Sequence, residues 1–161
     1  MIMKGIVWRK ATKADLPATQ DMVREYIKLE RRKYDPTMYV HWANSRSALR
    51  YLSSCLRKRD HLFVVAIMRH RIVGFLIGTV MHRSAVRRRA KSSRLVFLYV
   101  RPRYRSKGIG TLLGRVFNSW SRERGISHVS IKVSAKNRRA AHLYRRMGYR
   151  DYEIILERIL S

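Results

Sequence analysis

Four cations, Arg101, Arg103, Arg105 and Lys107, alternate along one short segment and run directly into Gly108-Ile109-Gly110. The full stretch, LYVRPRYRSKGIGTLLGRVF, spans Leu98 to Phe117. Leu112, Leu113, Val116, Phe117 and Trp120 recur at helical spacing, so a helix is expected to start near Ile109. Cations this close repel one another, and a bound polyanion is the partner that would offset the repulsion. Gly108 and Gly110 lack Cβ atoms, so ligand oxygens can come close to the main chain. The first amides of a helix are unpaired and its dipole favours an anion there. An ordinary glycine-bearing turn from strand to helix would carry the same two residues.

Two common phosphate motifs are excluded by spacing. A Walker loop requires Gly-Lys-Ser/Thr after a four-residue gap, whereas Lys107 precedes Gly108. A dinucleotide fingerprint needs a third glycine one place before Gly114 and an acid near position 130, where Ser130 and Lys132 stand.

Arg105-Ser106-Lys107-Gly108-Ile109-Gly110 matches the pattern Arg/Gln-x-x-Gly-x-Gly/Ala, directly after LYVRPRY. Further on comes NRRAAHLYRRMGY, with Asn137, Ala140, Ala141, Tyr144, Gly148 and Tyr149. The opening VWRKATKADLPATQDMV fits a first strand and helix. In this order and spacing the segments resemble the GNAT superfamily of acetyl-CoA-dependent N-acetyltransferases, over nearly the whole chain. The resemblance implies an α/β, single-domain GNAT-type fold over residues 1–161, with a mixed, mostly antiparallel central sheet flanked by helices.

It also implies a site. Acetyl-CoA would lie where RLVFLYV and HVSIKVS splay apart. Backbone groups of Leu98, Tyr99 and Val100 would hold the acetyl carbonyl and pantetheine arm. Ser106, Lys107, Gly108, Ile109, Gly110 and Thr111 would wrap the diphosphate, with added charge from Arg105 and Lys107. Asn137 would contact the cofactor, or simply cap the helix it opens. Tyr144 would place its hydroxyl near the thioester sulfur as the catalytic group, or pack as a core residue. A phenol of pKa about 10 can protonate a departing thiolate and still be neutral at physiological pH.

The acceptor would be a primary amine, either a small molecule or a protein N-terminus or lysine, attacking directly in a ternary complex. Such an amine has a pKa of about 10 and must lose a proton first. Many relatives carry a carboxylate where this chain has Val96 and Phe97, or Lys132. Glu30, Asp35, His41, His82 and His128 are the conceivable substitutes, each with an alternative reading as a surface or structural residue. No metal is implied, and Cys55, the single cysteine, reads as core filler rather than a nucleophile.

The elements that must position these residues follow from periodicity. A strand is expected at Gly5–Lys10, with Thr12 as an N-cap and a helix from Lys13 to Arg32. Tyr34–Trp42 reads as a loop, and Ser45–Lys58 as a second helix. HLFVVAIM and RIVGFLIGTVMH form a hairpin candidate, and RSAVRRRAKSS a basic loop. The strand RLVFLYV, helix three up to Gly125, the strand HVSIKVS, a helix over Asn137–Met147 and a final strand YEIILERIL complete the chain.

Thirty-seven Lys and Arg face ten Asp and Glu, a net charge of +27. From His61 to Arg122 there are fourteen cations and no carboxylate. That field attracts nucleic acid, ribosomes or phosphorylated ligands. An alternative reading is therefore a non-catalytic RNA- or ribosome-binding protein on an acetyltransferase-like fold. The absence of a long apolar run argues against a membrane partner, and the lone cysteine suits the cytoplasm. Monomer and homodimer both stay open.

Overall fold

The computed structural model describes residues 5–82 and 91–158. Strand β1 (Ile6–Lys10) leads through one turn of 3-10 helix at Lys13–Asp15 into helix α1 (Leu16–Lys33). The start is fixed by Asp15: the Thr12 amide donates to its Oδ2 at 2.7 Å, and Arg9 donates to both oxygens at 2.6 and 2.9 Å. Asp15 is buried. The Arg9 bonds, helped by those from Thr12, hold its carboxyl down at about 2.

The segment expected as a loop before the second helix contains a 3-10 helix, Val40–Asn44. Helix α2 (Arg46–Arg57) is capped by Ser45, whose Oγ accepts from the Ala48 amide at 3.2 Å. Strands β2 (His61–Met68) and β3 (Arg71–His82) form the expected hairpin. Arg69 and His70 turn it at φ 48° and 60°, the left-handed pair of a tight two-residue turn. Strand β4 (Lys91–Val100) takes in Lys91–Ser93 from the stretch expected to be a basic loop. The rest of that loop, residues 83–90, lies outside the described residues.

Helix α3 (Ile109–Arg122), strand β5 (Val129–Ile131) and helix α4 (Arg138–Arg146) follow. Both helices stop where expected, before Gly125 and Gly148, and the amides of Ile126 and Tyr149 return to Ser121 and Tyr144. The final strand is a correction. Of YEIILERIL, Tyr152–Arg158 is assigned to no strand among the described residues, Ile159 and Leu160 lie outside them, and Ile154, Ile155 and Leu156 are exposed. β propensity alone supplies no ladder partner, and three-residue β5 offers a short one.

The sheet runs β1-β2-β3-β4-β5. Its first three pairings are antiparallel and β4–β5 is parallel. Strand β2 is apolar from Leu62 to Met68 because both its faces are covered. Leu62, Val64 and Ala66 meet Ile109, Leu113 and Phe117 of α3, and Phe63 and Val65 meet Met22 and Ile27 of α1 with Leu52 of α2.

Two features of β4 open one end of the sheet. Its ladder with β5 covers only Ser93–Leu95. Its register with β3 then skips Val96, passing from Leu95 opposite Gly78 to Phe97 opposite Ile77, a bulge. From Phe97 to Val100 the strand is paired on the β3 side and has no ladder with β5. Among the described residues no helix is long and apolar enough to cross a membrane.

Candidate active site

At the open end, β4 passes through a 3-10 turn, Pro102–Tyr104, into the loop that starts α3. Ser106 has φ 61° and Gly108 has φ 74° and ψ 0°. These left-handed residues reverse the chain so that the loop's amides gather at the helix mouth. Leu112 supplies the first amide that returns to a carbonyl, to Gly108 at 2.9 Å. Among the described residues no protein acceptor takes the amides of Ser106 to Thr111. Ser106 and Lys107 are exposed, while Ile109 is buried and anchors the turn. The result is a concave set of donors at the positive end of a helix dipole, which suits an anion.

Gly110 answers to a second demand. A Cβ there would stand 3.1 Å from Leu143 Cδ2, so the bare backbone also lets α4 pack closely on α3.

The cations are arranged differently from the expectation. Arg105 turns back: its Nε donates to the Val100 carbonyl at 2.8 Å and its guanidinium lies 5.4 Å from the centroid of Tyr99. It closes the end of β4 instead of leading into the loop. Lys107 lies 5.9 Å over Tyr104. Arg139, which the motifs did not single out, donates from Nη2 to Ser106 Oγ at 3.0 Å and brings α4's charge over the loop. Asn137 caps α4, its Oδ1 accepting from the Ala140 amide at 3.1 Å.

Tyr144 is 9% exposed, with its ring edge-on to Tyr149 at 5.9 Å. Its hydroxyl is hydrogen-bonded to no described residue. Burial, with smaller contributions from Tyr149, Tyr26 and Glu30, pushes its pKa well above the ordinary phenol value. It therefore stays protonated at any physiological pH.

Helix α1 faces the same region. The Tyr26 ring sits edge-on to Phe97 at 5.5 Å and to Tyr99 at 6.2 Å. Burial and Glu30 push the Tyr26 hydroxyl up to about 12. Tyr99 donates to Glu25 at 3.2 Å, and Arg101 approaches the same carboxylate at 3.4 Å. Glu30 lies one turn beyond Tyr26, and burial followed by the charge of Asp35 raises its pKa. Asp35 is held close by its amide, which donates to the Glu30 carbonyl at 2.9 Å. Tyr26 lies outside the two motifs, and the four-residue step from Tyr26 to Glu30 was its readable signal; Arg139 stands inside the second motif, NRRAAHLYRRMGY, without having been singled out there.

The other conceivable bases lie elsewhere. His41 lines a cleft of ≈ 520 Å³ with Lys28, Arg31 and Arg32. His82 and His128 sit at the opposite end of β4: His82 pairs with Lys91, and the His128 carbonyl accepts from Ser93 at 3.0 Å. Val96 is bulged and exposed, Phe97 packs among aromatic rings, and Lys132 is exposed. Cys55 is buried, and that burial raises its thiol pKa.

The sequence model of the acetyltransferase (GNAT) family matches residues 20–149. Streptothricin acetyltransferase of Streptomyces lavendulae is 46% identical over 50 residues, 31% of this chain and 26% of that protein. An uncharacterised N-acetyltransferase of Methanocaldococcus jannaschii is 23% identical over 137 residues, 85% of this chain and 60% of the other. The matched segments thus span about a quarter and three fifths of these two relatives. A mutant of the BH1408 protein of Bacillus halodurans superposes with a TM-score of 0.86 at 16% identity, covering 96% of this chain and 99% of that one. AAC(6')-Iy in complex with a CoA bisubstrate analogue superposes at 0.72 with 14% identity, covering 97% and 99%. At these identities the structural likeness establishes the fold.

Proposed function

The chain belongs to the acetyltransferase (GNAT) family, and from that premise we propose that residues 1–161 form one N-acetyltransferase domain that moves an acetyl group from acetyl-CoA to a primary amine in a ternary complex. The observation that carries this reading is the set of amides from Ser106 to Thr111 that no described residue accepts, at the mouth of α3 and next to the side of β4 that has no ladder with β5 beyond Leu95. Acetyl-CoA supplies the activated acetyl group. The loop amides and the α3 dipole bind its diphosphate, with Arg139 adding charge above Ser106. Leu98, Tyr99 and Val100 lie on the part of β4 that has no ladder with β5 and would hold the acyl and pantetheine portion, the Val100 carbonyl being taken by Arg105 Nε. Tyr144 keeps a proton on its hydroxyl for the departing sulfur; its burial supports that role because it excludes ionisation. Asn137 fixes the start of α4 and so places Tyr144.

The amine as acceptor agrees with relatives named for streptothricin and for aminoglycoside chemistry, and the neighbour bound to a CoA analogue agrees with the cofactor. A cytoplasmic setting fits the single buried thiol. The test is thiol release from acetyl-CoA across a panel of small amines, N-terminal peptides and lysine peptides, with calorimetry of coenzyme A binding alongside. Saturable coenzyme binding and amine-dependent thiol release are expected. A folded protein that gives no heat with millimolar coenzyme would overturn the assignment.

A further inference from the structure

Lys28, Arg31 and Arg32 stand at helical neighbour spacing on the exposed side of α1, so their charges form one stripe. Arg9, Arg24, Arg101 and Arg145 each meet a carboxylate. The three residues of the stripe make no hydrogen bond or ion pair with any described residue. They line a cleft of ≈ 520 Å³ that is completed by Pro36, Val40 and His41, and no carboxylate borders it. Asp35, beside Pro36, is occupied by Thr37, whose amide donates to it at 2.9 Å along with the hydroxyl. The negative end of the α1 dipole accounts for cations in its last turn, Arg31 and Arg32, but not for Lys28 before them.

The far wall adds an aromatic. Tyr39 is 69% exposed, and its ring lies 5.6 Å from that of His41. The segment after it is anchored. Ala43 is buried and its carbonyl accepts from Gln20 of α1 at 2.9 Å, while Trp42 lies 6.0 Å from Tyr51 of α2. A stripe of cations with an exposed ring at its rim supplies both parts of a single-strand site: charges for the phosphates and a platform for a base. A second cationic cleft, with Lys10, Arg57, Lys58, Arg59 and Arg124, lacks the platform, because its Trp120 is buried and covered by Arg124 at 4.3 Å.

We propose that the cleft between α1 and the Val40–Asn44 turn binds single-stranded RNA, with phosphates on Lys28, Arg31 and Arg32 and one base on Tyr39. RNA is the polyanion that offers unstacked bases; a duplex would bring phosphates without a free base. The site is separate from the loop at Ser106–Thr111. Helix α1 packs on the Phe63 and Val65 face of the sheet, whereas α3 packs on the Leu62 and Val64 face. RNA binding there does not depend on the acetyltransferase reading.

Fluorescence anisotropy of a labelled oligouridylate of about 12 nucleotides, within the roughly 4–16 that one single-strand site covers, provides the test. The wild type should bind it saturably. Lys28→Gln, Arg31→Gln and Arg32→Gln combined should weaken binding about a hundredfold at roughly 0.1 M salt and flatten the log–log salt slope by about 2, the share of three single-strand phosphate contacts. Arg57→Gln, Lys58→Gln and Arg59→Gln combined remove equal charge from the other cleft and should cost no more than about threefold. Tyr39→Ala should weaken oligouridylate binding about tenfold and leave inorganic polyphosphate, which has no base to stack, unaffected; Tyr39→Phe should match the wild type. All the substituted side chains are exposed, so thermal midpoints should not move. Equal losses in the two combined variants would mean diffuse attraction by the net charge and overturn the proposal. So would the absence of saturable binding, unchanged oligouridylate binding by Tyr39→Ala, or displacement of the oligonucleotide by coenzyme A.

Discussion

The Arg139 guanidinium donates to the Ser106 hydroxyl at 3.0 Å and so ties the first turn of α4 to the loop that opens α3. Both residues are exposed, and an exposed contact between neutral hydroxyl and guanidinium contributes little to folding. Its significance lies in where it holds a positive charge. Arg139→Ala is expected to weaken coenzyme A binding by about tenfold and to flatten its salt dependence, with the thermal midpoint nearly unchanged. Ser106→Ala frees the guanidinium but keeps the charge and should cost less. Titration calorimetry at two ionic strengths checks both; equal affinity in Arg139→Ala would remove Arg139 from the site.

Gly108 makes a sharper case. At φ 74° a valine is strained, by about 1–3 kcal/mol, and the strain falls in the turn that presents the amides. Gly108→Val is expected to abolish detectable coenzyme binding. Gly108→Asn tolerates the left-handed conformation and should retain much of it. Coenzyme affinity unchanged in the valine variant would show that the loop amides are not the diphosphate site.

Tyr144→Phe keeps the ring among its neighbours and removes only the hydroxyl, which bonds to no described residue. Stability should therefore hold. Turnover is expected to fall by roughly ten- to a thousandfold with coenzyme affinity little changed, the range for losing general acid help. Because burial raises the Tyr144 pKa, the alkaline fall in rate should begin above the ordinary phenol value of about 10. Full turnover in the variant, with chemistry rate-limiting, would leave Tyr144 as a packing residue.

The order of elements and the loop at Gly108 were legible because local rules decide them. Ser45 and Asn137 cap helices, Gly125 and Gly148 follow them, and β2 is apolar on both faces. The final strand was misread because Tyr152–Arg158 has the propensity for a strand but is assigned to none among the described residues. The orientation of Arg105 was not legible for a related reason. Spacing put its charge beside the glycines, but the Val100 carbonyl and the Tyr99 ring draw its side chain back toward β4. Tyr26 lies outside both motifs and Arg139 was not singled out within the second, since their placement depends on contacts across long sequence separations, Tyr26 with Phe97 and Tyr99 and Arg139 with Ser106.

The bond set around Asp15 makes stability depend on acid. Its carboxyl sits at about 2 in the fold, held chiefly by the Arg9 hydrogen bonds, against about 3.9 in an unfolded chain. A depressed carboxyl stabilises the fold fully above the unfolded value and loses that contribution as pH falls toward the folded value. Between roughly pH 4 and pH 2 the wild type should therefore lose stability faster than Asp15→Asn, which carries no proton equilibrium there. At neutral pH Asp15→Asn forfeits the charged pair with Arg9 and should melt lower than the wild type, and the gap should close as pH falls. Arg9→Gln should show part of the same effect, since Thr12 still donates to Asp15 through its amide and hydroxyl. Thermal midpoints across this range test the assignment. Parallel pH curves for the wild type and Asp15→Asn would mean that the Arg9–Asp15 contact does not hold the start of α1 in solution.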